Sequence, residues 1–419
     1  MYGSLKSGGG HELDANQISE LKRLDPADAQ YAATFAGLLI AAARQRGASD
    51  IHVQPTPDGL SIRTRVDGVL VPLGTFSAGT STNIVVRLKV LSSLLTYRTD
   101  VPQEGRIQLA DQSGDFECRV STFPTLHGER AVIRMFTGKS RFRRLDDLQL
   151  PEEILVRLRQ LLGETSGAIL ITGPAGSGKT TTLYACLNEL VEDLVVPRSI
   201  VTLEDPIEMV LPGVSQSQVN DGVGFTLATA VRSVLRQDPD IVMVGEIRDG
   251  ETAKIACQAA NTGHMVFSTL HANDTIAALF RLIDLGVEPF LLSSSISAIL
   301  GQRLIRKLCV DCKEAYKPTA DLLQKAGLPA DKVDKFYRPP SSSEATCPSC
   351  NGLGYSGRVG LFELLLITDR LRDLIRDNPN MTAIKAEARK NGMLYMREEG
   401  LRLVVKGTTS IEELLKVVK

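Results

Sequence analysis

GPAGSGKTT, residues 173–181, matches G-x-x-x-x-G-K-[ST], with Gly173, Gly178, Lys179 and Thr180 in the fixed places. An apolar run of strand type, AILIT (168–172), precedes it, and TTLYACLNEL (181–190) follows with apolar residues at helical spacing. Strand, glycine-rich loop and helix are the context this motif requires. The glycines let backbone N–H groups close around phosphate oxygens, and the helix N-terminus adds its positive end. The stretch therefore reads as a nucleoside triphosphate site formed by Gly173, Pro174, Gly176, Ser177, Gly178, Lys179, Thr180 and Thr181. Lys179 is expected on the β- and γ-phosphates and Thr180 on Mg²⁺.

Around this loop, the region from 151 to 305 alternates strand and helix. The strand candidates are 168–172, 199–203, 240–244 and 264–269, which predicts a mostly parallel sheet with crossovers. Upstream, YAATFAGLLIAAARQRG (31–47) has helical periodicity, and 50–74 reads as strands with turns at PDG and VDG. Residues 31–137 thus form a separate α+β domain, preceded by a flexible tail (1–30) and followed by a charged, aperiodic linker (138–150). A cysteine-bearing segment (306–362) and a helix-forming region (363–419) complete the chain.

The bulk composition removes several classes. Formal net charge is −1 and hydrophobic content 43%, ordinary for a globular protein and without a basic field for nucleic acid. Trp is absent and aromatics are 5%, so base-stacking platforms are poorly supplied. No run approaches a membrane span, and the N-terminus has no secretory core, which predicts a cytoplasmic location. A nucleic-acid motor and a non-catalytic nucleotide-binding scaffold stand as the rival readings.

Two strand ends carry acids. VTLEDPIE (201–208) supplies Glu204, Asp205 and Glu208, and DIVMVGEIRD (240–249) ends in Gly245-Glu246 where an Asp is usual for Mg²⁺. Asp205 and Glu208 read equally as helix caps or turn residues. Glu204 and Glu246, beside a phosphate loop, read as functional, Glu246 on the strand expected next to the loop strand. TGHMVFSTLHANDT (262–275) brackets a further strand with His264 and His271, which on their own are as readily structural. Cys309, Cys312, Cys347 and Cys350 make C-x-x-C…C-x-x-C, the pattern of a closed, structural Zn²⁺ site. The long segment between the pairs is expected to loop out, and Cys118, Cys186 and Cys257 to be core residues.

Together, GPAGSGKTTTLYACL, VTLEDPIE, LRQDPDIVMVGEIRD and TGHMVFSTLHANDT resemble, in order and spacing, the Walker A, Asp box, Walker B and His box of the type II secretion and type IV pilus assembly ATPases. ASDIHVQP (48–55) and PQEGRIQL (102–109) resemble the upstream domain of that family, and GQRLIRKLCVDC (301–312) with CPSCNGLGYSGRVGLFELL (347–365) its cysteine module. The resemblance implies a RecA-like ATPase core, a PAS-like upstream domain and a homo-hexameric ring. It implies an inner-membrane platform protein as the partner acted upon, with a membrane-anchored docking protein in many members. The motor would then sit peripherally at the cytoplasmic face of the inner membrane. By position it makes Glu204 the water-polarising base and Glu246 the Mg²⁺ or water partner. It makes His264 and His271 sensors of the γ-phosphate, and Arg106 and Arg119 arginines supplied across a subunit boundary. Many members carry a further N-terminal docking domain; here about 30 residues precede the upstream domain. The cysteine module accompanies assembly and secretion members rather than retraction motors.

Overall fold

The computed structural model divides the chain into two units, a first up to Lys139 and a second from Ser140. The structure describes residues 19–76, 81–111, 114–136, 143–192, 197–329, 333–341, 347–377 and 379–418. Most of the expected tail (1–18) and the first part of the expected linker (138–142) lie outside them.

In the first unit, α1 (Tyr31–Gln45) leads into β1 (Ala48–Thr56), β2 (Gly59–Val66) and β3 (Val69–Phe76); α2 (Ser81–Leu91) is followed by β4 (Gln103–Asp111), β5 (Gly114–Thr125) and β6 (Gly128–Phe136). The strands form one sheet in the order β3-β2-β1-β6-β5-β4, and every pairing is antiparallel. The VDG turn is a two-residue hairpin: Asp67 and Gly68 both have positive φ, 48° and 84°, which matches the twist of β2 and β3. Strand alternation turns Ile51, Val53, Leu60 and Ile62 inward, against Phe35 and Leu39 of α1 and Ile84 and Leu88 of α2. The tail reading is too generous at its end: 19–23 are helical, and Leu21, only 1% exposed, belongs to this same core.

The second unit opens with Leu145, Leu148 and Leu150, which are buried against α3 (Glu152–Leu162) and α4 (Lys179–Glu192). The described end of the expected linker is thus part of a core. Here the seven-stranded sheet has the order β15-β12-β7-β11-β10-β8-β9. Its members are β7 (Gly167–Thr172), β8 (Ile200–Glu204), β9 (Ser215–Gln218), β10 (Ile241–Val244), β11 (Met265–Leu270), β12 (Ile296–Leu308) and β15 (Tyr355–Leu366). All neighbours are parallel except β12 and β15. The four strands expected from apolar runs are β7, β8, β10 and β11; β9 is polar throughout, and β12 and β15 mix polar residues into their runs, so periodicity does not mark them. β11 lies between β7 and β10, so the expectation that the Glu246 strand adjoins the loop strand is corrected.

Both faces of this sheet are covered, which is why β7, β10 and β11 are buried throughout and mostly apolar. Ile169 and Ile171 face α4, while Ala168 and Leu170 face α6 (Gly250–Asn261), α7 (Thr275–Asp284) and α8 (Pro289–Ser295); α5 (Leu227–Val234) packs beside β8 and β10. Beyond Cys312, the small β13 (Glu314–Tyr316) and β14 (Phe336–Arg338) pair, with α9 (Ala320–Ala326) beside them. Rather than looping out, this segment sends Leu323 and Phe336 into a core with Ile305 of β12 and Leu361 of β15. Four helices close the chain: α10 (Asp369–Asp377), α11 (Met381–Lys390), α12 (Met396–Val405) and α13 (Ile411–Val417). No described helix is long and apolar enough to cross a membrane.

Candidate active site and metal centre

β7 ends at Thr172 and α4 begins at Lys179, so the loop between them is the turn at the carboxyl end of a central strand. Gly173, Gly176 and Gly178 have φ of 154°, 74° and 88°, values that side chains rarely adopt. A Cβ at Gly173 would stand 2.2 Å from the Gln302 carbonyl oxygen and 2.7 Å from Ser177 Oγ, so the loop closes only with glycine there. Inside this cradle the Ser177 hydroxyl is buried without a partner, an orphan that a phosphate oxygen would satisfy. Lys179 is buried, and its Nζ donates to the carbonyls of Gly173 (2.9 Å) and Pro174 (3.1 Å). Burial pulls its pKa below the ordinary lysine value, and the charge of Glu246 opposes that pull. Thr180 is the second residue of α4 and half-buried, so its side chain starts from the loop end of the helix.

Glu246 is the carboxylate whose charge reaches this lysine. It follows β10 through Gly245, whose N–H donates to the Leu203 carbonyl (2.8 Å). His271, just past the end of β11, meets it through Nε2 at 3.1 Å, and Arg248 Nε donates to its other oxygen. Arg248 Nη1 also donates to Asp205 at 3.2 Å. Partial burial pushes the Glu246 carboxyl up, but Arg248 and His271 outweigh it and hold the group below the usual carboxylate range.

Glu204 ends β8 and is 3% exposed. Thr202 Oγ1 donates to its Oε1 at 2.6 Å and Gln216 Nε2 to the same oxygen at 3.0 Å, while the Tyr184 hydroxyl of α4 donates to Oε2. Burial and the adjoining carboxylate push the Tyr184 hydroxyl far above its ordinary range, so it stays a donor. Glu204 is thereby fastened to the helix that carries the loop.

The two histidines part company. His264 precedes β11 and His271 follows it; the seven residue steps between them, at about 3.3 Å each, keep them roughly 23 Å apart. His264 pairs with the start of β7, the end away from the loop, and its Nδ1 contacts the Ala259 carbonyl (3.1 Å) at the C-terminus of α6. Within one chain the structure therefore brings only His271 to the cluster and leaves His264 outside it. In the first unit, Arg106 of β4 and Arg119 of β5 are directly opposite each other, and Arg106 pairs with Glu117 at 3.2 Å.

The four sulfurs of Cys309, Cys312, Cys347 and Cys350 lie within 4.8 Å of one another. Cys309–Cys347 is 3.9 Å and Cys312–Cys350 3.7 Å. A disulfide needs about 2.05 Å, whereas a tetrahedron with Zn–S of about 2.3 Å has edges near 3.8 Å. The donor set and spacing therefore fit Zn²⁺, and among the described residues no further His, Cys, Asp or Glu joins the group. Cys118, Cys186 and Cys257 are buried singly; burial pushes their thiols up to about 12, 12 and 11.

Residues 26–416 match the family model for type II/IV secretion system proteins. The chain belongs to this family. Its relatives include the type II secretion system ATPase E of Vibrio cholerae, 45% identical over 91% of this chain and 74% of the relative. The type II secretion system protein HxcR of Pseudomonas aeruginosa is 41% identical over 97% and 81%. The type IV pilus assembly ATPase PilB of Thermus thermophilus is 39% identical over 93% of this chain, which spans 43% of that longer protein. Among solved structures, the pilus retraction motor PilT with bound ADP superposes with a TM-score of 0.59 at 25% identity, covering 90% of this chain and 95% of that one. The Legionella pneumophila ATPase DotB, at 22% identity and a TM-score of 0.68 over 91% and 95%, shares the fold.

In this secretion-system ATPase, three residues beside the loop escaped sequence reasoning. Arg248 had a signal, since GEIRD places it two residues past Glu246. Tyr184 had none, because an apolar helix face accounts for it. Gln302 had a faint one: a glutamine that continues the apolar run ISAILG into a strand is out of place unless it is bonded. A cavity of about 1090 Å³ is lined by Arg303, Glu363, Lys385, Tyr395 and Lys416 among others, and by none of the loop residues 173–181.

Proposed function

We propose that this ATPase works as a homo-hexameric ring at the cytoplasmic face of the inner membrane. There it turns ATP hydrolysis into movement of an inner-membrane platform protein, in type II secretion or type IV pilus assembly. The observation that carries the reading is the glycine cradle with its buried Lys179 and orphan Ser177 hydroxyl, in a chain that matches the secretion family almost end to end. The tetracysteine cluster favours an assembly or secretion motor over a retraction motor, given the family's use of that module.

In this reading the loop amides and Lys179 bind the β- and γ-phosphates, and Thr180 and Glu246 supply hard oxygen ligands to Mg²⁺. When bound, Mg²⁺ neutralises charge on the phosphate oxygens. Glu204 accepts a proton from water as the water oxygen bonds to the γ-phosphorus and the bond to the β–γ bridging oxygen breaks. To do so it gives up one of its three donors. His271 and Arg248 hold Glu246 in place. Arg106 and Arg119 stand opposite each other although like charges there repel. Glu117 offsets part of that charge at Arg106; the support for assigning both arginines across a boundary is that two guanidiniums lie side by side on one strand pair, as a neighbour's phosphate requires. His264, away from the loop, is left to the subunit surface.

The test is a chromosomal Lys179→Ala substitution with the purified variant assayed in parallel. Hydrolysis is expected to fall at least about a hundredfold, since a charge partner of the transferred group is lost. Either extracellular enzymes or surface filaments should then disappear from the cells. Near-normal turnover would overturn the site, and normal secretion together with normal piliation would overturn the task.

A further inference from the structure

The P-loop is flanked on its two sides by different strands. β11, with β10 beyond it, brings His271 and Glu246 from one side; β12 lies on the other. β12 pairs with β7 through Gly301 and Thr172, the last residue before the loop, which places Gln302 against the loop itself. Gln302 is 3% exposed, and both ends of its amide are used on the loop. Nε2 donates to the Ser177 carbonyl at 2.8 Å, and Oε1 accepts from Thr182 Oγ1 at 2.7 Å. One amide thus spans from the residue before Gly178 to the first turn of α4 and brackets Lys179 and Thr180. The motif's two fixed glycines touch the same residue: a Cβ at Gly173 would lie 2.2 Å from the Gln302 carbonyl oxygen, and one at Gly178 would lie 2.9 Å from Nε2.

We infer that Gln302 is a positioning residue for ATP binding. It fixes the separation between the 177 carbonyl and the start of α4, and so the curvature of the loop amides before any phosphate arrives. The polarity of the amide is matched to the two sites, a donor toward a carbonyl and an acceptor toward a hydroxyl. No apolar residue supplies either bond, and a buried Ser177 carbonyl left unpaired would turn or seek another donor among the loop amides that phosphate needs. The cost of the change falls on the binding of ATP rather than on the chemical step, because the bonds exist before the transition state. The inference rests on the reading of 173–181 as the ATP site.

The experiment compares wild type, Lys179→Ala, Gln302→Ala, Thr182→Val and the Gln302→Ala/Thr182→Val double variant. It measures hydrolysis kinetics, affinity for a fluorescent ATP analogue, zinc content and melting temperature. Gln302→Ala should raise KM and weaken the analogue about tenfold, the worth of a buried hydrogen bond, with kcat at saturation within about threefold. Zinc content should match wild type. Thr182→Val removes one bond without disturbing β12, so it carries the test alone if Gln302→Ala does not fold. It should shift KM in the same direction, and the double variant should be no worse than Gln302→Ala. Unchanged KM and affinity in both single variants, or a loss in kcat alone, would overturn the inference while Lys179→Ala still reports the site. A wild type that neither binds nor hydrolyses ATP would remove the reading of the site and the inference with it.

Discussion

Two glutamates at adjoining strand ends meet different surroundings, and that difference sets what each can do. Glu204 is enclosed by three neutral donors, whereas Glu246 is held by an arginine and a histidine and is felt by Lys179. Glu204→Gln should keep ATP binding but lower kcat by about a hundredfold or more, because an amide cannot take the proton. Lost binding in that variant would move Glu204 into a binding role, and an unchanged rate would pass the base role to Glu246. Glu246 also makes a pH prediction. Its folded pKa lies below the unfolded value, so its contribution to stability is present above that unfolded value, near 4.5. It is lost as pH falls through the lowered folded value. Melting temperatures followed from pH 6 to pH 3 should therefore drop less steeply in Glu246→Gln than in the parent protein. Equal slopes would mean that the Arg248 and His271 contacts do not persist in solution.

At the scale of elements, the carboxyl half of the second unit is held by two local devices. One is the cysteine cluster, which joins the end of β12 to the turn before β15. We expect one zinc per chain in protein purified without added metal. Cys347→Ser should lose it and lower the melting temperature on the order of 5–10 °C, with a smaller effect on kcat at a temperature where the variant is folded. The other is Glu363 of β15, 2% exposed, whose Oε1 accepts from the Thr275 N–H (2.9 Å) and hydroxyl (3.0 Å) and whose Oε2 accepts from the Met396 N–H (3.1 Å). One side chain thus serves the N-termini of α7 and α12. Gly301 is glycine partly for its sake, since a Cβ there would come within 2.7 Å of Glu363 Cγ. Glu363→Ala should destabilise the protein by about 2–4 kcal/mol in urea unfolding, two caps and a buried carboxylate contact being lost together. A change under about 0.5 kcal/mol would show that other groups satisfy both helix ends.

At the scale of the whole molecule, the prediction concerns subunits acting together. If Arg106 and Arg119 complete a neighbour's site, chains carrying Arg106→Ala and chains carrying Lys179→Ala are each inactive alone but complementary. Mixed rings contain interfaces with an intact lysine on one side and an intact arginine on the other. Hydrolysis should recover to a measurable fraction of wild type, with a maximum near equal mixing. Hexamers that form at every ratio without any recovery would place the arginines in the chain's own site or in none.

The phosphate loop, both acidic strand ends and the two cysteine pairs were legible in the sequence because each is local. A loop of nine residues or a C-x-x-C pair has its geometry set by neighbours in the chain, and four apolar runs suffice to mark buried parallel strands. What required the folded chain was every relation across it. The insertion of β11 between β7 and β10 is invisible to periodicity, since strand order depends on which helices cross which face. His264 and His271 are seven residues apart and look equivalent, yet an extended strand carries them to opposite ends of the sheet. β12 and β15 mix polar residues into their runs because their side chains serve other elements, Gln302 the loop and Glu363 two helix ends. Gln302 lies 120 residues from Thr182 and 125 from Ser177, and only the parallel pairing of β12 with β7 brings it to them. Hydrogen bonds over such separations leave no spacing in the chain. They follow from packing alone, and packing is where the motif acquires the support that holds it in shape.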